Sequence, residues 1–199
     1  MQFEVSSYAK INSFLNVLGK RADGYHEIYT HFQLLDLKDA LFFSKSSQNQ
    51  VFCDGITPEE NIILKSVEWF NNKFDKNQHF SVTVEKNIPM GAGLGGGSSN
   101  AAATLCFLCD YHGIERRLLD FHEISYELGA DIPIFIFGKS AFASGIGEKI
   151  GEESSDKSSY ILINPNINIS TKLLFSSKDL TLLDSFKISS ITIFSDSID

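Results

Sequence analysis

Five of the chain's 14 glycines fall between Gly91 and Gly97, and this crowding constrains the fold more than any other feature. The full stretch is Pro89-Met90-Gly91-Ala92-Gly93-Leu94-Gly95-Gly96-Gly97-Ser98-Ser99-Asn100. A β-branched run, Val82-Thr83-Val84, precedes it, and an alanine-rich run from Asn100 to Leu105 follows. The pattern predicts a strand, a glycine loop and a helix. Glycine reaches positive φ and leaves no Cβ to block a close approach. Ser98 or Ser99 is expected to cap the helix, with free N–H groups pointing into the loop. The helix dipole adds to them, so the loop is suited to an anion, most often a phosphate. The competing reading is a flexible glycine linker, which seldom joins a clean strand to a clean helix.

The loop differs from the better-known phosphate loops. A Walker A loop needs Gly-Lys-Ser/Thr at the helix start, and here Gly97 runs straight into Ser98. Gly91-x-Gly93-x-x-Gly96 matches the dinucleotide fingerprint as a string, but that fingerprint also wants an acidic residue closing the next strand. The nearest candidates, Asp110 and Glu115, sit in or just after the following helical pattern. The His-Arg-Asp and Asp-Phe-Gly elements of protein kinases are not present.

With 199 residues, 43% of them hydrophobic, the chain can bury a substantial core. Its net charge of -8 offers no basic face for nucleic acid. Of the three cysteines, Cys106 and Cys109 have redox or zinc spacing. They lie in a helical pattern with no second Cys/His pair, so buried thiols are the expected state. The N-terminus lacks a basic region followed by an apolar one, and no run approaches the roughly 20 residues of a membrane span. The expectation is a soluble, cytoplasmic protein without membrane partners.

Along the chain, strands are predicted at Phe3 to Ser7, Ala9 to Leu18, Tyr25 to Leu35, Asp39 to Lys45 and Tyr160 to Pro165. Helices are predicted over Glu60 to Phe74, Ser98 to His112 and Arg116 to Leu128, with a hairpin after Ser140. Lys10 and Asn12 are polar residues within a largely apolar strand. Tyr25, His26, Tyr29, His31 and Phe32 form an aromatic cluster that could stack on a planar heterocycle or simply fill a core. Asn61 stands where a helix cap belongs. Asp131, in Gly129-Ala130-Asp131-Ile132-Pro133, is either a helix cap or a partly buried base aimed at a hydroxyl.

Five segments resemble known proteins. The glycine loop is similar to the phosphate loop of the GHMP kinases, which phosphorylate small metabolites with ATP. Ala9-Lys10-Ile11-Asn12-x-Phe14-Leu15, Gly19-Lys20-Arg21-Ala22-Asp23-Gly24-Tyr25-His26 and Gly129-Ala130-Asp131-x-Pro133-x-Phe135 resemble one branch of that superfamily, the 4-diphosphocytidyl-2-C-methyl-D-erythritol kinases of the non-mevalonate isoprenoid pathway. Asn168-Ile169-Ser170-Thr171-x-x-x-Phe175 resembles the segment whose threonine and phenylalanine close over cytidine in that branch. The likeness covers about residues 2 to 175.

The resemblance implies an α+β fold, a GHMP kinase N-terminal domain with a mixed sheet and helices. It implies Lys10 and Asp131 as catalytic residues. Asn12, Tyr25, His26, Phe32, Thr171 and Phe175 would bind the substrate. Pro89, Met90, Gly91, Ala92, Gly93, Leu94, Gly95, Gly96, Gly97, Ser98 and Ser99 would bind the nucleotide, with Asn61, Lys86 and Ile88 near the adenine. ATP and Mg²⁺ are the implied cofactors. No Walker B-like acid is present, and metal ligands and oligomeric state stay open. Asp131 would take a proton from the 2-hydroxyl of the substrate, while Lys10 keeps it ionised and offsets charge on the transferring phosphoryl group.

The family also carries a ferredoxin-like C-terminal domain with a further glycine motif, and no glycine follows Gly151 here. That domain is therefore expected to be largely missing, with 1–160 as the ATP-binding domain and 161–199 as a truncated start of the second domain plus an unmatched tail. Two alternatives remain: a truncated, inactive nucleotide-binding remnant, and a GHMP kinase for another metabolite such as homoserine or mevalonate.

Overall fold

Two long strands form the spine of the molecule. In the computed structural model, which describes residues 2–57, 60–154 and 158–164, β1 runs over Gln2–Lys20 and β2 over His26–Lys45. The sequence pattern suggests two shorter strands in each place, and the structure joins them. The looser alternation has a physical cause: β1 pairs antiparallel with β2 along its length, but the register shifts between Tyr8 and Lys10, between Asn12 and Phe14, and between Val17 and Gly19. The last two shifts each place an extra residue in β1, while the first places two extra residues in β2 between Leu34 and Lys38, and this breaks strict period two.

Strand β2 is paired on both sides. Its first half, Ile28 to Phe32, pairs with β5 (Ala141–Gly145), and its second half, Ala40 to Lys45, pairs with β4 (Phe80–Glu85). Strand β3 (Gln50–Cys53) lies parallel to β4, and helix α1 (Ile62–Phe74) makes the crossover between them. The hairpin partner of β5 is β6 (Lys149–Glu153). The sheet order is β3-β4-β2-β5-β6, with β1 on β2. This mixed sheet with helices is the α+β arrangement that the resemblance implies.

Helix α2 (Gly96–His112) is the centre of the core and packs against α1, β1 and α4 (Ile132–Phe137). Ala101 and Ala102 allow close approach, while Leu105, Phe107 and Leu108 fill the space around them. The Phe107 ring stacks on Phe43 with centroids 4.1 Å apart and meets Phe80 nearly edge-on. The expected helix over Arg116 to Leu128 is instead a 3-10 turn at Arg116–Leu118 followed by α3 (Phe121–Glu127). The Asp120 carboxylate accepts the Glu123 amide, so Asp120 caps a fresh helix rather than continuing one. Residues 158–164 carry no strand, contrary to the pattern at Tyr160. Most of 161–199 lies outside the described residues.

Among the described residues, no helix is long and apolar enough to cross a membrane. Cys53, Cys106 and Cys109 are free thiols. Burial pushes the Cys109 thiol up to about 11, with Cys106 and Asp110 adding to it, and burial raises Cys106 as well. These are packing residues; a redox pair needs a depressed thiol.

The Cys109 shift sets a stability trend at alkaline pH. The folded thiol keeps its proton between its ordinary value of 9.0 and about 11, whereas the unfolded one loses it. The folded state then binds more protons, so stability falls as pH rises through that window. Urea unfolding of wild type and Cys109→Ala at about pH 8 and about pH 10 should show a smaller alkaline loss in the variant. Equal losses would remove Cys109 as the cause.

Candidate active site

The glycine loop leaves β4 at Glu85 and enters α2 at Gly96. Gly91, Gly93 and Gly95 have φ of 69°, 73° and 71°, which other residues adopt only with strain. Gly95 is the N-cap of α2 and offers no side chain to its first turn. The two serines expected to cap the helix do not. The helix begins earlier, because the Gly95 carbonyl already accepts the Ser99 amide at 2.8 Å. Ser99 is buried, and its hydroxyl accepts from Ser7 Oγ at 2.7 Å. The N–H groups of the first turn are thus uncapped by any side chain of their own loop. They open on a pocket of about 240 Å³ lined by Ile56, Lys86 and every residue from Pro89 to Gly97.

Two side chains from distant elements press against this loop. A Cβ added to Gly95 would lie 2.7 Å from Phe135 Cζ of α4 and 3.2 Å from Lys10 Cε of β1. The Lys10 amide also donates to the Leu94 carbonyl at 3.0 Å, which ties β1 to the loop by its backbone. Beside the loop, Lys10 Nζ lies 3.3 Å from Asp131 Oδ2. It donates to Asn12 Oδ1 at 2.6 Å; Asn12 Nδ2 donates to Thr30 Oγ1 at 2.7 Å, and Thr30 donates to the Phe14 carbonyl. The bulges flanking this segment leave Lys10 and Asn12 two residues apart on one face of β1. Asp131 stands at the N-cap position of α4 but makes no capping bond, and its side chain is 38% exposed. Of the two roles open to it in the sequence, helix capping is therefore not the one adopted.

The aromatic cluster divides. Tyr25 is 39% exposed in the β1–β2 turn, and His26, at the start of β2, is half-buried. Phe32 is 1% exposed, and Lys10 Nζ lies 5.5 Å from its ring centroid. It supports the lysine from below and presents no open stacking face.

The Tyr25 turn is held by residues whose role was not legible in the sequence. Arg21 donates to Asp23, Glu27 and the Tyr126 hydroxyl, and Tyr126 donates to Asp23 at 3.0 Å. The Tyr126 ring meets Tyr25 edge-on at 5.2 Å. Desolvation pushes Asp23 up, but the Tyr25 amide, the Tyr126 hydroxyl and Arg21 outweigh it and hold the carboxyl below its usual range.

Other expected residues are placed as follows. Lys86 lines the pocket and pairs with Asp39 at 2.5 Å. Asn61 caps α1 by accepting the Ile63 amide at 3.0 Å and does not line the pocket. Ser98 and Ser99 lie in the first turn of α2, just beyond the pocket lining. Thr171 and Phe175 lie outside the described residues. Among the described residues, no three His, Cys, Asp or Glu side chains gather as a metal site.

Residues 61–139, from the cap of α1 to just past α4, match the family model described as the GHMP kinases N terminal domain. The chain has the fold of a GHMP kinase N-terminal domain. Over 180 residues it is 45% identical to a protein of Francisella tularensis subsp. holarctica named 4-diphosphocytidyl-2-C-methyl-D-erythritol kinase, covering 87% of this chain and 65% of that one. A protein of the same name from Acinetobacter baylyi is 44% identical over 182 residues, covering 89% and 65%. The chain thus spans about two thirds of the length of these relatives. A crystal structure of 4-(cytidine 5'-diphospho)-2C-methyl-D-erythritol kinase superposes with a TM-score of 0.62 at 34% identity, covering 75% of this chain and 54% of that one. A phosphomevalonate kinase from Streptococcus pneumoniae, at 15% identity and TM-score 0.52, shares the fold, covering 72% of this chain and 48% of that one.

The loop geometry separates two glycines that look alike in sequence. Gly95→Ala should destabilise the protein by about 1–3 kcal/mol, since alanine must adopt positive φ and displace Phe135. Gly97→Ala should be neutral or stabilising, because its Cβ meets nothing within 4 Å and it lies inside α2. Denaturant unfolding of both variants checks the contrast, and equal effects would contradict this account of the loop.

Proposed function

We propose that this domain performs the ATP-dependent phosphorylation of the 2-hydroxyl of 4-diphosphocytidyl-2-C-methyl-D-erythritol, a step of non-mevalonate isoprenoid precursor synthesis. The observation that carries the reaction type is the Lys10–Asp131 pair held against the glycine loop. The substrate comes from the names of the relatives and from the Gly19-to-His26 segment shared with that branch. In this reading, residues 1–160 are the nucleotide-binding domain and 161–199 belong to the start of a second.

The residues fit a polyphosphate. The loop has three positive-φ glycines, an uncapped helix N-terminus and one lysine in its lining. Backbone N–H groups and a helix dipole stabilise phosphate charge without rearranging. ATP would supply the phosphoryl group and Mg²⁺ would neutralise its charge; among the described residues no three His, Cys, Asp or Glu side chains gather to hold the metal. Ser98 is the serine left uncommitted by the Ser7–Ser99 contact and is the candidate to reach phosphate or metal. Tyr25 and His26, with Thr171 and Phe175, would hold the cytidine end, and Asn12 the sugar-alcohol end.

Asp131 orients the substrate hydroxyl and accepts its proton as that oxygen bonds to phosphorus and the bond to the leaving diphosphate breaks. Lys10 aligns the carboxylate from one side and offsets charge on the transferring group. Asn12 and Thr30 keep the lysine from swinging away. Alignment and charge stabilisation are most of what phosphoryl transfer needs.

Assays of the purified chain with ATP and 4-diphosphocytidyl-methylerythritol should show phosphorylation, with homoserine and mevalonate as control acceptors. Asp131→Asn should lower kcat by about a hundredfold or more while leaving nucleotide affinity within a few-fold. Turnover of a control acceptor alone would overturn the substrate, and near-normal turnover in a folded Asp131→Asn protein would remove Asp131 from the reaction.

A further inference from the structure

Asp39 is a carboxylate with no exposed surface, and the reaction above makes no use of it. It lies on β2 behind the glycine loop and touches both ends of that loop. Its Oδ1 accepts the amides of Asn87 and Ile88, each at 2.8 Å, where the chain leaves β4. Its Oδ2 accepts from Lys86 Nζ at 2.5 Å. The Asn100 amide in α2 faces three acceptors, Asp39 Oδ2 at 3.0 Å, Gly96 O at 3.0 Å and Ser7 Oγ at 2.7 Å, so its nitrogen is assigned toward them. One carboxylate thus joins residues 86–88 to the first turns of α2, and the loop is strung between these two anchors.

A buried charge is costly unless it is paired and fully hydrogen-bonded. Asp39 meets that condition with four donors, all from the segments that set the loop's position. Among the described residues Lys86 is the only cation lining the pocket, its side chain is 12% exposed, and a Cβ on Gly96 would sit 3.0 Å from its Nζ. The ammonium is therefore fixed beside the uncapped helix N-terminus.

We propose that Asp39 is a positioning residue for the phosphate site: it sets the span of the glycine loop and fixes the Lys86 ammonium where a phosphate oxygen would lie. This rests on the kinase reading only in taking the ligand to be a nucleotide polyphosphate. The Asp39→Asn change is diagnostic. The amide keeps an acceptor for Asn87 and Ile88, but turns its NH₂ group toward the Lys86 ammonium and the Asn100 amide, donor against donor.

The test is calorimetric titration of wild type and Asp39→Asn with a non-hydrolysable ATP analogue, adenosine and inorganic tripolyphosphate. Affinity for the analogue and for tripolyphosphate should fall about tenfold or more, while adenosine binding stays within about twofold. A purely structural role would weaken all three alike, and that outcome, or unchanged polyphosphate affinity, overturns the proposal. Should Asp39→Asn fail to fold, Lys86→Met must show the same selective loss, and an unaltered ratio in it also overturns the proposal. A wild type that binds tripolyphosphate but not the ATP analogue rejects the nucleotide reading alone, and the variants' tripolyphosphate affinity still decides the role of Asp39. A wild type that binds neither polyphosphate overturns both.

Discussion

Strand β2 is the constraint on which the other elements depend. It is hydrogen-bonded along one edge to β1 and along the other to β5 and then β4. A strand with three partners cannot slip, because a one-residue shift would turn every side chain to the opposite face. It carries His26 at the mouth of the turn, Thr30 and Phe32 beneath Lys10, and Asp39 behind the glycine loop. Register shifts between β1 and β2, one of them with its extra residues in β2, then adjust individual side chains. The site is accordingly built on rigid elements, with only the glycine loop and the Tyr25 turn supplied by irregular backbone.

Two lysine–carboxylate pairs flank the loop, and they are built in opposite senses. In one, the lysine is buried and the acid, Asp131, is open to the cleft. In the other, the acid is buried and the lysine, Lys86, meets the pocket. In each pair the hidden partner orients the accessible one. In the proposed reaction, one pair would offer a proton acceptor to a hydroxyl and the other a fixed cation to a phosphate. An overall charge of -8 is compatible with binding an anion, because these local donors set the field inside the pocket.

Much of this was legible in the sequence where chemistry is local. The glycine run announced the strand–loop–helix unit because positive φ at three alternate positions demands glycine. The isolated acid before Pro133 marked Asp131 as a candidate, and Ser140 onward read as a hairpin. What failed depended on tertiary context. Ser98 and Ser99 look like caps, yet the helix starts at Gly96 because Ser99 and Asn100 are drawn into contacts with Ser7. Phe32 belongs to an aromatic cluster, and no pattern told which ring faces the core. Asp39 read as a strand's first residue, and Tyr126 as an ordinary helix position, since their partners lie far away along the chain.

That distance has a consequence for how the molecule is made. Ser7 meets Ser99 across 92 positions, and Arg21 meets Tyr126 across 105. A ribosome adds roughly 5–20 residues per second, so β1 emerges on the order of ten seconds before the helices it must touch. Throughout that interval the β1–β2 ribbon has its turn and its pairing but no core to cover it. The cleft forms last, in the same event that closes the domain, and long-range closure of this kind is slow. A nascent chain of this protein therefore exposes the apolar faces of its strand ribbon well before the glycine loop is in place.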